Sequence, residues 1–337
     1  METTMKRFIL GGLAALALAG TASAQEAKEL NFGIISTESS AALSKSFEPM
    51  LKDLEKAVGV PVKAFFAQDY AGVIEAMRFK KVDLAWYGNK AAMEAVDRAN
   101  GEVFVQTTKK DGTKGYYSLI LTQKSRSDIN ELKDVIDCSK GLNFGNGDAN
   151  STSGNLVPSY YVFAINKVNP NDCFKRVVVS NHEGNALAVA NGQVDVATNN
   201  TESMDRLAET RPADYAKIKE VWRSPLIPSD PLVWRADLPA DMKAKIHSFF
   251  LSYGRLGTAE EVAHARQVLN TTSDGWGPFV PSSNAQLYPI RQLELFKAKL
   301  KAQNDEKLSA DDKKAKVTEI DAKLADLDKL MVAVPNM

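Results

Sequence analysis

The strongest constraint on the fold of this chain is an internal match. The segment AGVIEAMRFKKVDLAWYGN (Ala71–Asn89) aligns without a gap on EGNALAVANGQVDVATNNT (Glu183–Thr201). Gly72 falls on Gly184, and Val82-Asp83-Leu84-Ala85 falls on Val194-Asp195-Val196-Ala197. In each copy an amphipathic stretch runs into a short β-rich one, so the repeated unit is a helix feeding a strand. Two such units describe two similar lobes. Tyr70 and His182 occupy equivalent places in this alignment, each just before a helix. Two α/β lobes with matching loops leave a cleft between them, and ligands bind at the carboxyl ends of such strands.

The rest of the chain extends the same rhythm. Leu30–Ser36 reads as a buried strand, and Ala41–Val58 as a helix with apolar spacing at Leu43, Phe47, Leu51, Leu54 and Val58. Val60–Ala67 and Val82–Tyr87 read as strands, Ala71–Phe79 and Lys90–Asn100 as helices. The second half repeats the pattern, with strands at Leu142–Gly145, Val177–Ser180 and Val194–Thr198 and helices at Leu156–Asn166, Asn185–Ala190 and Ser203–Glu209. This alternation is the mark of an α/β fold with parallel sheets covered on both faces. Gly115–Leu119 and the proline-rich Ser224–Arg235 are the candidate crossings between lobes. Helices at Ala240–Tyr253 and Glu260–Leu269 complete the first lobe, with an irregular stretch at Asp274–Pro281. The expected division is therefore residues 25–115 and 232–289 for lobe 1, and 116–231 for lobe 2. In residues 290–337, Leu293, Phe296, Leu300, Val317, Ile320, Leu324, Leu327 and Leu330 recur at helical spacing among charges. That stripe folds back on its own subunit or pairs two chains as a homodimer, and the pattern leaves both open.

Composition narrows the function. The 42 Lys and Arg balance 42 Asp and Glu, which excludes a surface built to track a long polyanion. A 44% hydrophobic and 25% charged chain buries an ordinary core. Residues 1–24 carry Lys6 and Arg7, the apolar run Phe8–Ala19 and the ending Ala22-Ser23-Ala24. This reads as a secretory signal peptide, cleaved after Ala24, and it predicts an exported protein. No cysteine follows the cleavage region, so no lipid anchor is expected.

The most informative chemistry lies in Asn143-Phe-Gly-Asn-Gly-Asp148 followed by Ala-Asn-Ser151-Thr152-Ser153-Gly154. A strand ends, a glycine-containing turn follows, and three hydroxyl residues precede a helix. Helix N-termini present unpaired N–H groups and partial positive charge. Ordinary capping consumes one hydroxyl, so three in a row fit either a plain cap with two spare hydroxyls or a seat for a tetrahedral oxyanion. The spacing fits neither the P-loop nor the G-x-G-x-x-G pattern. His182 follows the strand Val177–Ser180 and can donate to an anion, whereas His247 and His264 lie on helices as structural residues. Tyr70 supplies a phenol from the other lobe. Glu202 and Asp230, at a strand end and near a crossing, would together favour a cation.

The runs NFGIISTES, FFAQDYAGVIEAMRF, VDLAWYGN, AMEAVDRANG, FGNGDANSTSG, ALAVANGQVDVATNNTE and SPLIPSDPLVWR resemble the phosphonate-binding periplasmic proteins (the PhnD family) from about Leu30 to about Leu330. The resemblance implies the soluble receptor of an ABC importer for alkylphosphonates, typically 2-aminoethylphosphonate. It also implies a two-lobed type II binding protein with a double-crossover hinge, partnered by a membrane permease and its ATPase. By position, the family's phosphonate cradle falls on Ser151, Thr152 and Ser153, with His182 and Tyr70 as further donors. Its ammonium-facing groups fall on Glu202, Asp230 and Tyr116, the last beside an adjacent Tyr117. The resemblance brings no cofactor, no metal and no catalytic residue. Phosphite, phosphate or methylphosphonate are the alternative ligands. An enzyme acting on phosphonate or phosphate esters would need a metal or an activated nucleophile, and the three scattered histidines supply no motif for either.

Cys138 and Cys173 stand outside the family pattern. Each lies shortly before a strand, Leu142–Gly145 and Val177–Ser180, which a right-handed βαβ unit places side by side. In an exported chain this predicts a Cys138–Cys173 disulfide.

Overall fold

The structure is a computed structural model that describes residues 29–333, so the leader assigned to residues 1–24 and its cleavage point lie outside the described residues. The first part of the chain alternates β1 (Leu30–Ile34), α1 (Ser40–Val58), β2 (Val62–Phe66), α2 (Tyr70–Arg78), β3 (Leu84–Trp86), α3 (Asn89–Arg98) and β4 (Gly101–Lys109). Next come β5 (Gly115–Tyr116), β6 (Ser118–Gln123), the short α4 (Leu132–Val135) and β7 (Asn143–Asn146). Two π-helical turns, Thr152–Leu156 and Ser159–Ala164, lead to α5 (Pro170–Cys173), β8 (Arg176–Val179), α6 (His182–Ala190), β9 (Val196–Asn200) and α7 (Thr201–Thr210). The chain then runs through α8 (Pro212–Tyr215), β10 (Ile218–Arg223), β11 (Ile227–Pro228), β12 (Pro231–Arg235), α9 (Ala240–Ser252) and α10 (Ala259–Thr271). It ends in β13 (Trp276–Pro281), α11 (Tyr288–Asn304) and α12 (Ala310–Ala333).

These strands form two sheets with one design. The first reads β2-β1-β3-β12-β4-β13 and the second β8-β7-β9-β6-β10. In each, the parallel trio is followed by an antiparallel strand fed from a crossing: β12 beside β3, and β6 beside β9. The crossings pair with each other as β5 and β11, Tyr116 opposite Ile227. The fold is thus a two-lobed type II binding protein, with both lobes α/β.

The repeat has a physical basis in its shared aspartate. Asp83 accepts a hydrogen bond from the Asn31 backbone N–H at 2.8 Å, and Asp195 accepts from Asn143 at 2.7 Å. Each also pairs with an arginine at the end of the crossing strand, Arg235 and Arg126 respectively. One carboxylate in each lobe therefore ties the central strand to the inserted one. Gly33 and Gly145 hold matching places in β1 and β7. A Cβ on Gly33 would lie 2.7 Å from Val73, and one on Gly145 would lie 2.9 Å from Ala197. The neighbouring elements pack too close for any side chain there.

Burial follows the expected patterns. On α1, Leu43, Phe47, Leu51, Leu54 and Val58 are all buried. The helix begins at its Ser39 cap and stops at Gly59, whose φ of 80° suits glycine. Along β6, Leu119 and Leu121 enter one core of the second sheet while Ile120 enters the core on its other face. Most element ends shift by one or two residues from the expected ones.

Two expectations need correction. The helix expected over Leu156–Asn166 is two π-helical turns, with Leu156 N–H bonding to Ser151 O and Ile165 N–H to Tyr160 O. Pro158 has no N–H and crowds the preceding turn, and the wider i→i−5 spacing relieves both problems. The stretch expected to be irregular over Asp274–Pro281 contains β13, an edge strand on β4 with a register shift between Gly277 and Val280. An edge strand and a bulge are where a sheet tolerates proline.

Cys138 and Cys173 are joined by a disulfide, at the end of the neighbouring strands β7 and β8. The C-terminal helices fold back on the chain. Arg291 of α11 pairs with Asp97 on α3, and the rings of Phe296 and Tyr160 stack at 6.2 Å. No helix among the described residues is long and apolar enough to cross a membrane.

Candidate functional site

Between the lobes lies a small cavity at the carboxyl ends of the strands. All eight ligand residues expected from the sequence line it: Tyr70, Tyr116, Ser151, Thr152, Ser153, His182, Glu202 and Asp230. The disulfide cysteines lie apart from it.

The three hydroxyls sit on the first π-helical turn after β7. Each already accepts a hydrogen bond from the protein. Ser151 Oγ accepts from Gly154 N at 2.9 Å, Thr152 Oγ1 from Lys90 N at 2.8 Å, and Ser153 Oγ from Asn200 Nδ2 at 3.0 Å. With an acceptor lone pair of each so engaged, the O–H protons of Thr152 and Ser153 remain to be donated, while the Ser151 hydroxyl is shared with His182 and Tyr70. All three residues are buried, so this end of the cavity is matched to an anion. The turn can fold this tightly because Gly147 and Gly154 touch: a Cβ on Gly147 would lie 2.6 Å from the Gly154 backbone.

His182 is the first residue of α6, whose cap is Asn181, not the histidine. Its Nε2 lies 3.4 Å from Ser151 Oγ and 3.3 Å from Asn200 Nδ2, while its buried Nδ1 has no partner among the described residues. Burial lowers its pKa to about 4, so the imidazole is neutral until an anion arrives to stabilise its charge. The Tyr70 phenol, fully buried against Ser151, is held protonated by burial and by the nearby Asp230 and Asp148 carboxylates. Tyr70 is a donor at neutral pH, and the ring nitrogen from which neutral His182 donates is set by its tautomer.

The opposite end of the cavity is acidic. Tyr116 Oη donates to Asp230 Oδ1 at 3.1 Å. Burial, helped by Asp274, pushes Asp230 up to about 7 against that hydrogen bond. Glu202 is in the first turn of α7 but does not cap it, because Asn200 does. Burial, then Asp274 and Asp230, push its carboxyl well above the usual range. Among the described residues, no Lys or Arg lies within ion-pair distance of Glu202, Asp230 or Asp274. Lys109 is bonded to Asp205 at 3.2 Å, and Arg206 to Glu38 at 2.5 Å.

Sequence reasoning missed Asp274, Asn200, Trp86, Glu38 and Arg206, which also line the cavity. Asn200 had a signal: it ends a strand in the repeat, and Gly88 is its counterpart. Asp274 had none, since its neighbours gave no regular pattern.

The lobes touch around the cavity. Asp148 of the second lobe accepts from Tyr70 N at 3.2 Å, on the first turn of α2, and Glu183 accepts from Ser39 N at 3.2 Å, at the start of α1. Each puts a carboxylate from the second lobe on a positive helix end of the first. The cleft is closed.

A family model described as "ABC transporter, phosphonate, periplasmic substrate-binding protein" matches residues 32–287. The phosphonates-binding periplasmic protein of Escherichia coli K12 is 54% identical over 313 residues, covering 93% of this chain and 90% of its own. The crystal structure of a binding protein component of an ABC phosphonate transporter from Pseudomonas aeruginosa is 54% identical, with a TM-score of 0.86, over 90% of this chain and 98% of that one. The structure of PhnD1 from Prochlorococcus marinus in complex with methylphosphonate, 22% identical, shares the fold with a TM-score of 0.68 over 80% of this chain and 99% of that one.

Proposed function

This chain belongs to the periplasmic substrate-binding proteins of phosphonate ABC transporters, and on that premise we propose that its ligand is 2-aminoethylphosphonate. The observation that carries this reading is the polarity of the cavity. Hydroxyl, phenol and imidazole donors occupy one end, and three carboxylates occupy the other, none of them within ion-pair distance of a Lys or Arg among the described residues. A small zwitterion with separated charges satisfies both ends at once. Phosphite, phosphate or methylphosphonate would fill the donor end and leave the acids without a partner, which is costly for buried carboxylates.

The ligand is captured without any bond being made or broken. The phosphonate oxygens accept from the O–H groups of Ser151, Thr152 and Ser153, with Tyr70 and His182 as further donors. As the dianion approaches, it favours protonation of the His182 imidazole. The ammonium sits among Glu202, Asp230 and Tyr116, whose phenol oxygen can accept while its proton goes to Asp230. Bound ligand favours the closed arrangement of the lobes. That closed form is what the membrane permease and its ATPase would read. The chain is a binding protein and not an enzyme.

Calorimetric titration with 2-aminoethylphosphonate, methylphosphonate, phosphite and phosphate tests the ligand. The aminoethyl compound should bind tightest, ahead of methylphosphonate by on the order of a hundredfold, as expected for a buried charge pair. Glu202→Gln should erode that margin while leaving methylphosphonate binding within a few-fold. A wild-type preference for phosphite would defeat the reading.

A further inference from the structure

Asp274 is not among the residues that the family resemblance assigns, and it reaches the cavity from a third direction. It lies between α10 and β13, in the lobe of the six-stranded sheet. Glu202 opens α7 in the other lobe, and Asp230 immediately precedes β12 at the crossing. Asp230 is fixed to β4 of the same lobe as Asp274, since its carbonyl accepts from Thr107 N at 2.9 Å, so the acids reach one cavity from both lobes. The nearby cations have closer carboxylate partners, Lys109 in Asp205 and Arg206 in Glu38, with a further Arg206 bond to the Ser273 carbonyl at 2.5 Å, so Lys109 offsets the acids only in part and from beyond ion-pair distance. Of the charges acting on Glu202, Asp274 is the most strongly repelling, ahead of Asp230. Like charges on opposite lobes resist being brought together, and more so where water is excluded. A cation between them reverses the sign.

We propose that Asp274 is a specificity-determining residue that makes closure of the cleft conditional on a cationic group in the ligand, by setting its carboxylate against Glu202 across the two lobes. This deepens the aminoalkylphosphonate reading and rests on it. A neutral alkyl tail would have to close the cleft against that repulsion or with a proton taken up by one of the acids, whereas an ammonium is drawn in by acids from both lobes and the crossing. Selectivity then arises from the penalty on the wrong ligand as much as from attraction to the right one.

The test is Asp274→Asn in the mature protein, an isosteric change that removes the charge. Binding of 2-aminoethylphosphonate and methylphosphonate is measured by calorimetry, and closure by the radius of gyration from small-angle scattering. The aminoethyl ligand should weaken by about tenfold, the lower end of what loss of one partner in a buried charge pair costs. Methylphosphonate should hold or tighten, and should close the variant at least as fully as it closes the wild type. A merely structural aspartate cannot produce opposite effects on two ligands. Equal weakening of both, or an unchanged ratio between them, would overturn the proposal while leaving the ligand assignment intact. If the wild type shows no preference for the amine, the ligand reading fails on that result alone. The gate is then judged by methylphosphonate, which Asp274→Asn must bind more tightly for the gate to survive. Asp274→Ala, tested in parallel, should move the ratio in the same direction.

Discussion

After β1 the chain caps α1 with Ser39, and 112 positions later, after β7, it caps the first π-helical turn with Ser151. Both side chains accept from the backbone three residues on, Ala42 N at 3.3 Å and Gly154 N at 2.9 Å. The two turns then part company. In the first lobe Ile35 holds the position that Gly147 holds in the second, and a regular helix of 19 residues follows. Its N-terminus receives Glu183, a carboxylate of the protein itself. In the second lobe the Gly147–Gly154 contact tightens the turn, Thr152 and Ser153 add hydroxyls, and the N-terminus opens on the cavity. One scaffold unit therefore supplies two positive helix ends, one filled to hold the lobes together and the other left for a ligand's anion. The two lobes share one frame, and a few local differences divide the labour.

The sharpest way to break this comparison is Gly147→Ala. The new methyl would meet the Gly154 backbone at 2.6 Å, and backbone cannot step aside as a side chain can. The expected cost is about 3 kcal/mol, the upper range for overpacking, read as a lower unfolding midpoint in denaturant. A midpoint like that of the wild type would mean the turn is not held by that contact. A finer comparison pairs Ser39→Ala with Ser151→Ala. Each removes a cap and should cost about 1 kcal/mol of stability. Only the second should weaken phosphonate binding, by about 2 kcal/mol, because a hydrogen bond to a charged oxygen is lost. Equal losses of affinity would show that both turns act only as scaffold. The smallest effect belongs to Glu183→Gln, which removes the charge placed on α1. It should lower ligand affinity by about 0.5 kcal/mol, and high salt should shrink the difference. A larger, salt-independent loss would mean that Glu183 does more than favour closure.

Much of this architecture is legible in the order of the residues alone. The V-D-hydrophobic-A identity marks two lobes because Asp83 and Asp195 do the same job in each, and a job that depends on spacing leaves a pattern in sequence. The match extends further back in the chain, since Asn31-Phe32-Gly33 and Asn143-Phe144-Gly145 stand at the same separation. The serine–threonine–serine turn announces an anion because local capping does not need three hydroxyls. Other features depend on packing that no local window records. The π-helical form of residues 152–164 is a compromise between Pro158 and the glycine contact behind it. Strand β13 is hidden because its glycines and prolines read as loop until β4 offers an edge to pair with.

By itself, then, the sequence determined the two α/β lobes, their crossings, the hydroxyl turn and the eight residues expected around a ligand. The lobes, crossings and hydroxyl turn are properties of periodicity, spacing and local chemistry, whereas Tyr116 and the division of the eight into phosphonate and amine groups came from the family resemblance. The tertiary structure alone decided the charge balance inside the cleft. Asp274, Glu202 and Asp230 are separated by at least 28 residues along the chain, and nothing near any one of them signals the others. Only closure excludes water from them and sets them within reach of one another, and electrostatic repulsion depends on that distance and that medium rather than on order in the chain.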